Sequence, residues 1–121
     1  MPEIGDHKKK EPRSMTRTQM ENLMNRIMVQ VKETRDGGQD EYAMDEDNIF
    51  ANFERVSNHL EIDRKEVLMV YLLKHIDGIS SYIKGHESQR EDVTGRITDA
   101  IVYLLLLRGM IESNETNKRT E

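Results

Sequence analysis

The sequence predicts an all-α protein, a four-helix bundle-like domain that we expect to be oligomeric. Both prolines, Pro2 and Pro12, lie in the first twelve positions, so the rest of the chain has no residue that would interrupt a helix. Apolar residues recur at helical spacing in four separate segments of that remainder. The alternation of apolar and polar residues that is typical of strands is absent, which favours helices alone.

Length, composition and charge limit the class of protein. The 121 residues match one domain, in which we expect residues 1–14 to be disordered, residues 15–112 to form the helical domain and residues 113–121 to form a flexible tail. There is no cysteine, no secretory signal and no apolar run that could span a membrane, so we expect a cytoplasmic protein without a membrane partner. The net charge of −5 argues against nucleic acid as the main partner. The basic cluster at residues 8–17 is either a solvated tail or a contact for phosphate or nucleic acid.

The first two predicted helices have start and stop signals. Thr16 and Gln19 form a capping box before the first helix, which ends at the two glycines at positions 37 and 38. Its apolar face is Met20, Leu23, Met24, Ile27 and Val31. Asp47 or Asn48 is expected to cap the second helix. The buried stripe of that helix is predicted to be Phe50, Phe53, Val56 and Leu60.

The third predicted helix is apolar over a wide arc, so we expect it to be central. Asp63 caps it, Glu66 completes a second capping box, and Gly85 ends it. Its apolar positions are Val67, Leu68, Val70, Tyr71, Leu72, Ile76, Ile79 and Ile83.

The fourth predicted helix has more apolar positions than one buried face requires. It starts after a third capping box of Ser88 and Glu91 and runs to about Ile111. Each helix of a four-helix monomer should keep one solvent-exposed face. The excess of apolar residues at positions 104–107 and at Met110 therefore indicates a second buried face. We therefore expect a homodimer or a higher oligomer with this helix in the interface.

Asp99 is the most informative polar position, because nearly all its neighbours in the fourth helix are apolar. A carboxylate there must be paired, hydrogen-bonded, metal-bound or protonated. One interpretation is an ion-pair ladder with Asp92 and Arg96, which lie on the same stripe. The other is a site for a cation or a polar ligand. Glu91 is either the capping partner of Ser88 or a metal or phosphate-water contact beside Asp99.

Four further residues are candidates for contact with a ligand. His75 is either a satisfied core histidine or a catalytic base. Lys74 either pairs with Asp77 or binds phosphate. Asn52 is either a surface residue of the second helical turn or a hydrogen-bonding residue that fixes a ligand. Tyr42, in the acidic loop before that helix, either anchors the loop or stacks on a base.

The common motifs of nucleotide enzymes are missing. There is no phosphate-binding glycine loop, no dinucleotide fingerprint and no pair of histidines at zinc spacing. The absence of cysteine also excludes a thiol nucleophile.

A set of short segments nevertheless resembles one known family. The segments are residues 47–53, 67–68, 73–75, 95–101 and 103–104, with Ile79, Tyr82 and Glu91. Together they resemble small helical phage proteins of the nucleotide-modification-associated domain family. That family is distantly similar to the all-α nucleoside triphosphate pyrophosphatases of the MazG type.

The resemblance implies binding of a nucleotide or a nucleotide-derived ligand, in phage nucleotide metabolism or modification in the host cytoplasm. The cationic side chains would meet phosphate, whereas Asn52 and Tyr42 would meet the base or the sugar. The residues expected at the ligand are Asn52, Lys74, His75, Glu91, Arg96, Asp99 and Tyr42.

The chain departs from the MazG pattern at the metal site. MazG-type enzymes hold magnesium with a Glu-x-x-Asp motif, of which this chain keeps Asp99 but has Arg96 in place of the glutamate. A cation there should repel magnesium, so magnesium is only a candidate cofactor and two-metal hydrolysis is not expected. The alternative function is a non-catalytic structural or host-interaction protein that assembles through the third and fourth helices. A third hypothesis is nucleic-acid regulation through the basic N-terminal segment.

Overall fold

A computed structural model describes residues 12–38, 48–86 and 92–120 of the chain. In these residues the protein has four helices and no strand, which confirms the all-α, bundle-like fold class. The helices are α1 (Arg17–Gly38), α2 (Ala51–Leu60), α3 (Arg64–Ile83) and α4 (Val93–Thr120). The most extensive contact is between α3 and α4, while α1 packs on α4 and α2 packs on α3.

Local sequence signals start α1 and α3 as predicted. The Thr16 N–H donates to Gln19 Oε1 at 2.9 Å, and the Gln19 N–H donates to Thr16 Oγ1 at 3.1 Å, so the capping box of α1 is reciprocal. Asp63 caps α3 by accepting the Lys65 N–H at 2.7 Å. The predicted second capping box is not formed, because among the described residues the Glu66 side chain makes no hydrogen bond with the Asp63 backbone; instead the Glu66 N–H donates to the Asp63 carbonyl at 2.9 Å.

Gly85 ends α3, also as predicted. Its φ of 98° lies in the left-handed region, where a side chain would be strained. The Gly85 N–H donates to the Tyr82 carbonyl at 2.9 Å, and the His86 N–H donates to the Ser81 carbonyl at 3.1 Å. These two bonds form a Schellman motif, which satisfies carbonyls that the end of the helix would otherwise leave without partners.

Two predicted features of α2 and α4 are wrong. Leu60 was expected in the buried stripe of α2 but is 57% exposed, because α2 ends there and the chain turns at Glu61, which has a φ of 58°. The fourth helix does not end near Ile111 but continues to Thr120. Residues 112–120 contain neither glycine nor proline, so nothing in that segment stops a helix.

The core lies where α2, α3 and α4 meet. Its buried side chains are Phe50, Phe53, Val67, Leu68, Leu72, Ala100 and Met110. Leu68 and Met110 are completely buried. Gly109 allows the Phe50 ring to approach α4 closely, since a Cβ at position 109 would lie 3.2 Å from that ring. The Arg64 guanidinium covers the Phe50 ring at 4.8 Å and reaches Glu54 at 3.7 Å, which ties the start of α3 to α2.

The wide apolar arc of α3 is only partly used within this core. Leu68 and Leu72 are buried, whereas Val70, Ile76 and Ile83 are 63%, 40% and 64% exposed. The apolar excess that the sequence shows in α3 is found on the surface of the protein.

Candidate ligand cleft

A polar cleft lies between the C-terminal half of α1 and the first two turns of α4. Its volume is about 430 Å³, and it is open to solvent, since six of the eight residues that line it are exposed. It is lined by Gln30, Glu33, Thr34, Asp92, Thr94, Gly95, Thr98 and Asp99. Three of these lining residues are acidic and none of them is basic, so the lining carries negative charge.

The start of α4 forms one wall of the cleft. The Arg96 N–H donates to the Asp92 carbonyl at 3.1 Å, and the Thr94 hydroxyl donates to the Asp92 carboxylate. The N–H groups of residues 93–95 precede the first intrahelical donor, so the positive end of the helix dipole lies at this wall. Thr98, one turn further on, is 9% exposed and donates to the Thr94 carbonyl at 3.1 Å. The cleft thus combines carboxylates and hydroxyls with a helix N-terminus.

Asp99 connects the cleft to the interface between α3 and α4. Its side chain is 29% exposed, and its Oδ2 lies 3.8 Å from His75 Nδ1. The His75 side chain is 13% exposed, and its ring lies against Tyr103 with 5.5 Å between the ring centroids. In the described part of the chain no atom hydrogen-bonds with His75 Nδ1. This contact joins α3 to α4 directly behind the cleft.

Arg96 lies beside this pair, against α3. A Cβ on Gly78 would come within 2.5 Å of Arg96 Nη1 and within 2.6 Å of its Cδ and Cζ, so the guanidinium lies directly on the Gly78 backbone. The Nε of Arg96 is buried. Arg96 therefore packs between the two helices and is not among the residues that line the cleft.

An aromatic cluster supports His75 from the side of α2. The Tyr71 and Tyr103 rings stack with 6.3 Å between centroids, and Phe53 meets the edge of Tyr71 at 6.0 Å. The three rings come from α3, α4 and α2 respectively. Of these three rings, Tyr103 lies against His75.

The other predicted ligand residues are not brought to the cleft or are not described. Asn52 is half-buried on α2, and its side-chain oxygen accepts a hydrogen bond from Arg55 at 2.9 Å. Lys74 is exposed on α3 and joins none of the ion pairs found among residues 48–86. Tyr42 and Glu91 lie outside the described residues. Of the predicted set, Asp99, His75 and Arg96 lie together.

Sequence reasoning missed the contribution of α1. Gln30, Glu33 and Thr34 line the cleft at spacings that place them on one side of α1, next to its apolar face. That polar stripe was visible in the sequence, but its pairing with α4 was not. Thr98 could have been found by the same argument as Asp99, because it lies in the same apolar run.

Comparison of the chain with protein families, curated proteins and solved structures gives no match. Across the described residues, no helix has both the length and the hydrophobicity needed to cross a membrane. The same residues contain no group of three or more His, Asp or Glu side chains arranged to hold a metal ion.

Proposed function

We propose that this protein binds a nucleotide or a nucleotide-derived ligand in the cleft between α1 and α4. The proposal rests on one observation: carboxylates, hydroxyls and a helix N-terminus lie together in a cleft of about 430 Å³. Carboxylates accept hydrogen bonds from ribose hydroxyls, as they do in dinucleotide-binding folds. The free N–H groups at the start of a helix bind phosphate. A nucleotide presents both groups in one molecule.

The charge of the cleft determines how a phosphate would enter. Glu33, Asp92 and Asp99 repel a bare phosphate, since like charges interact strongly near a protein surface. A phosphate accompanied by magnesium avoids this repulsion. Magnesium is usually held by one or two carboxylates, the phosphate oxygens and water, so it needs no cluster of three protein ligands. We therefore expect binding of a phosphorylated ligand to depend on magnesium.

The residues change roles relative to the sequence-based expectation. Asp99 contacts the ligand in the proposed site. His75 and Arg96 lie behind Asp99 and hold its side chain in position. Lys74 and Asn52 have no place in the proposed site. The protein would act in the cytoplasm, the host cytoplasm if a phage encodes it.

A thermal-shift screen of nucleosides and nucleotides, with and without magnesium, tests the proposal. A ligand at about 100 times its Kd should stabilise the protein by roughly 2.7 kcal/mol. Asp99→Asn keeps the shape of the side chain but removes its charge, so affinity should fall about 10- to 100-fold, the equivalent of one charge-assisted hydrogen bond. Asp77→Asn is the matched control, because Asp77 is an exposed aspartate on α3 outside the cleft.

The proposal fails if no nucleoside or nucleotide stabilises the parent protein under either condition. It also fails if the Asp99 and Asp77 variants bind a nucleotide equally well. Analysis of the same mixtures for hydrolysis products separates binding alone from an enzymatic activity. Stabilisation by a nucleotide that is recovered intact indicates a binding protein.

A second candidate function is assembly, with another copy or with a host protein. A different observation favours it: α3 and α4 leave many large apolar side chains exposed. Such exposure is typical of an interaction surface.

A further inference from the structure

Methionine is concentrated in one short part of the chain. Of the eight methionines in the sequence, four lie within residues 15–28. Three of these four, Met20, Met24 and Met28, belong to α1, and we call them the methionine row. They follow one another at intervals of four positions, and each interval turns a side chain by about 40° around a helix and advances it by about 6 Å. The row therefore runs along one side of α1.

The methionine row is accessible to solvent. Met20, Met24 and Met28 are 46%, 56% and 49% exposed, whereas Met110 in the core is completely buried. Met69, on α3, is 38% exposed and has no other methionine within one helical turn. The protein thus presents several thioether sulfurs on one helix and shields another in its core.

These thioethers meet no competition from thiols, because the chain has no cysteine. A thioether reacts with hydrogen peroxide when a sulfur lone pair attacks one peroxide oxygen and the O–O bond breaks. The proton on the transferred oxygen passes to the departing hydroxide, which leaves as water. Sulfur is oxidised by two electrons and the peroxide is reduced by the same two. The product, methionine sulfoxide, is polar, and methionine sulfoxide reductases convert it back to methionine.

The helix that carries the row is attached to the rest of the protein by few buried side chains. Among the described residues, the core cluster of α2, α3 and α4 contains no side chain of α1. Between residues 17 and 37 only Val31 is buried. Leu23, Ile27 and Arg35 are half-buried. A segment with so few buried apolar contacts opens at a lower free energy than the core does.

The row lies next to the side chains that attach α1. Residues three or four positions apart on a helix are neighbours, and apolar pairs at these spacings stabilise the helix. By this rule Met24 is a neighbour of Met20 and of Ile27. Met28 is likewise a neighbour of Val31. Oxidation replaces an apolar partner with a polar one in each of these pairs, so it weakens the helix beside its attachment to α4.

We propose that the methionine row is an oxidation site for peroxides, at which sulfoxide formation loosens α1 from α4 and reduction restores the contact. Because α1 contributes Gln30, Glu33 and Thr34 to the cleft, oxidation also frees one wall of the cleft. The chemistry at the row does not depend on what the cleft binds.

The first test is the rate of oxidation at each methionine of the full chain in dilute hydrogen peroxide. Trypsin separates the relevant positions, since residues 18–26 contain Met20 and Met24, residues 27–32 contain Met28, and residues 109–118 contain Met110. Peptide mass spectrometry then follows the addition of one oxygen atom to each peptide. Because oxidation follows exposure, the row should react roughly 10-fold faster than Met110, or more.

The second test is amide hydrogen exchange in the oxidised protein. Exchange in α1 should become roughly 10-fold faster, while exchange in α3 stays unchanged. Treatment with methionine sulfoxide reductases should return α1 to its original rate. A variant with Met20→Leu, Met24→Leu and Met28→Leu keeps the apolar row but cannot form sulfoxide, so peroxide should not change its exchange. Met69→Leu is the matched control and should respond to peroxide as the parent does.

Three results would each overturn the proposal: Met110 oxidised as fast as the row, an oxidised row with unchanged exchange in α1, or a triple-leucine variant that responds to peroxide like the parent. If the triple-leucine variant loses its helical circular dichroism signal, the reductase experiment decides, because only sulfoxide is reversed by that enzyme. Failure here leaves nucleotide binding unaffected, since the thermal-shift screen uses the reduced protein.

Discussion

Replacing Gly78 with alanine sets two effects of similar size against each other. A glycine inside a helix costs about 0.8–1 kcal/mol relative to alanine, so the substitution should stabilise α3 by about that amount if nothing else changed. However, the new Cβ would come within 2.6 Å of three Arg96 atoms, well inside van der Waals contact. The result depends on whether Arg96 can move.

The structure indicates that Arg96 moves only at a cost. Its Cδ and Cζ are both in the way, so the guanidinium must leave α3 as a unit and cannot simply rotate at its tip. Its buried Nε must move with it. Overpacking of this kind costs typically 1–3 kcal/mol, which exceeds the gain in helix propensity. Subtracting the gain of about 1 kcal/mol in helix propensity, we expect Gly78→Ala to lower the free energy of unfolding by about 1 kcal/mol.

A double-mutant cycle isolates the contact. In an Arg96→Ala background the same glycine substitution meets no guanidinium and should raise the free energy of unfolding by about 1 kcal/mol. The coupling between the two positions should therefore be about 2 kcal/mol, measured by urea unfolding followed by circular dichroism. If Gly78→Ala is equally stabilising in both backgrounds, Arg96 is not held against α3 and cannot position Asp99 in the way we propose.

Two further predictions concern the core and the cap of α3. Met110→Ala removes a completely buried side chain and should lower the free energy of unfolding in urea by about 3 kcal/mol. Met28→Ala is the control, because Met28 is 49% exposed, and it should change that free energy by less than about 0.5 kcal/mol. Similar losses for both variants would contradict the assigned core. Asp63→Ala removes the cap and should cost about 1 kcal/mol at neutral pH. The hydrogen bond from the Lys65 N–H holds the pKa of Asp63 below its ordinary value of 3.8, so the stabilisation is complete above that pH and is lost as the pH falls through the lowered pKa. Thermal melts of parent and variant from neutral to acid pH should converge, and a constant difference would exclude the charged cap.

Helix boundaries set by local interactions were predictable from the sequence. The capping box of Thr16 and Gln19 and the left-handed Gly85 involve groups that are only a few residues apart, so the sequence specifies them directly. Which apolar side chains of a helix become buried in the core was not predictable in this way. Leu60 has helical spacing with Phe53, but its burial depends on whether α2 extends far enough to cover it, and α2 ends there.

The same distinction explains what was predicted of the site. Asp99 could be selected because a carboxylate among apolar neighbours needs a partner or a ligand. Its partner His75 lies on another helix, and the pairing depends on the register between α3 and α4. The contribution of α1 to the cleft depends on a contact between segments more than fifty residues apart, for which the periodicity of either segment gives no signal.

The amino-acid composition of α4 differs between the sides of the helix according to what each side contacts. One side carries Ala100 and Met110 into the core shared with α2 and α3. A second side carries Thr98 and Asp99 to the cleft beside α1. The third side, which includes Leu104, has no partner among the described residues, although a helix that contacted only solvent there would be expected to carry polar residues.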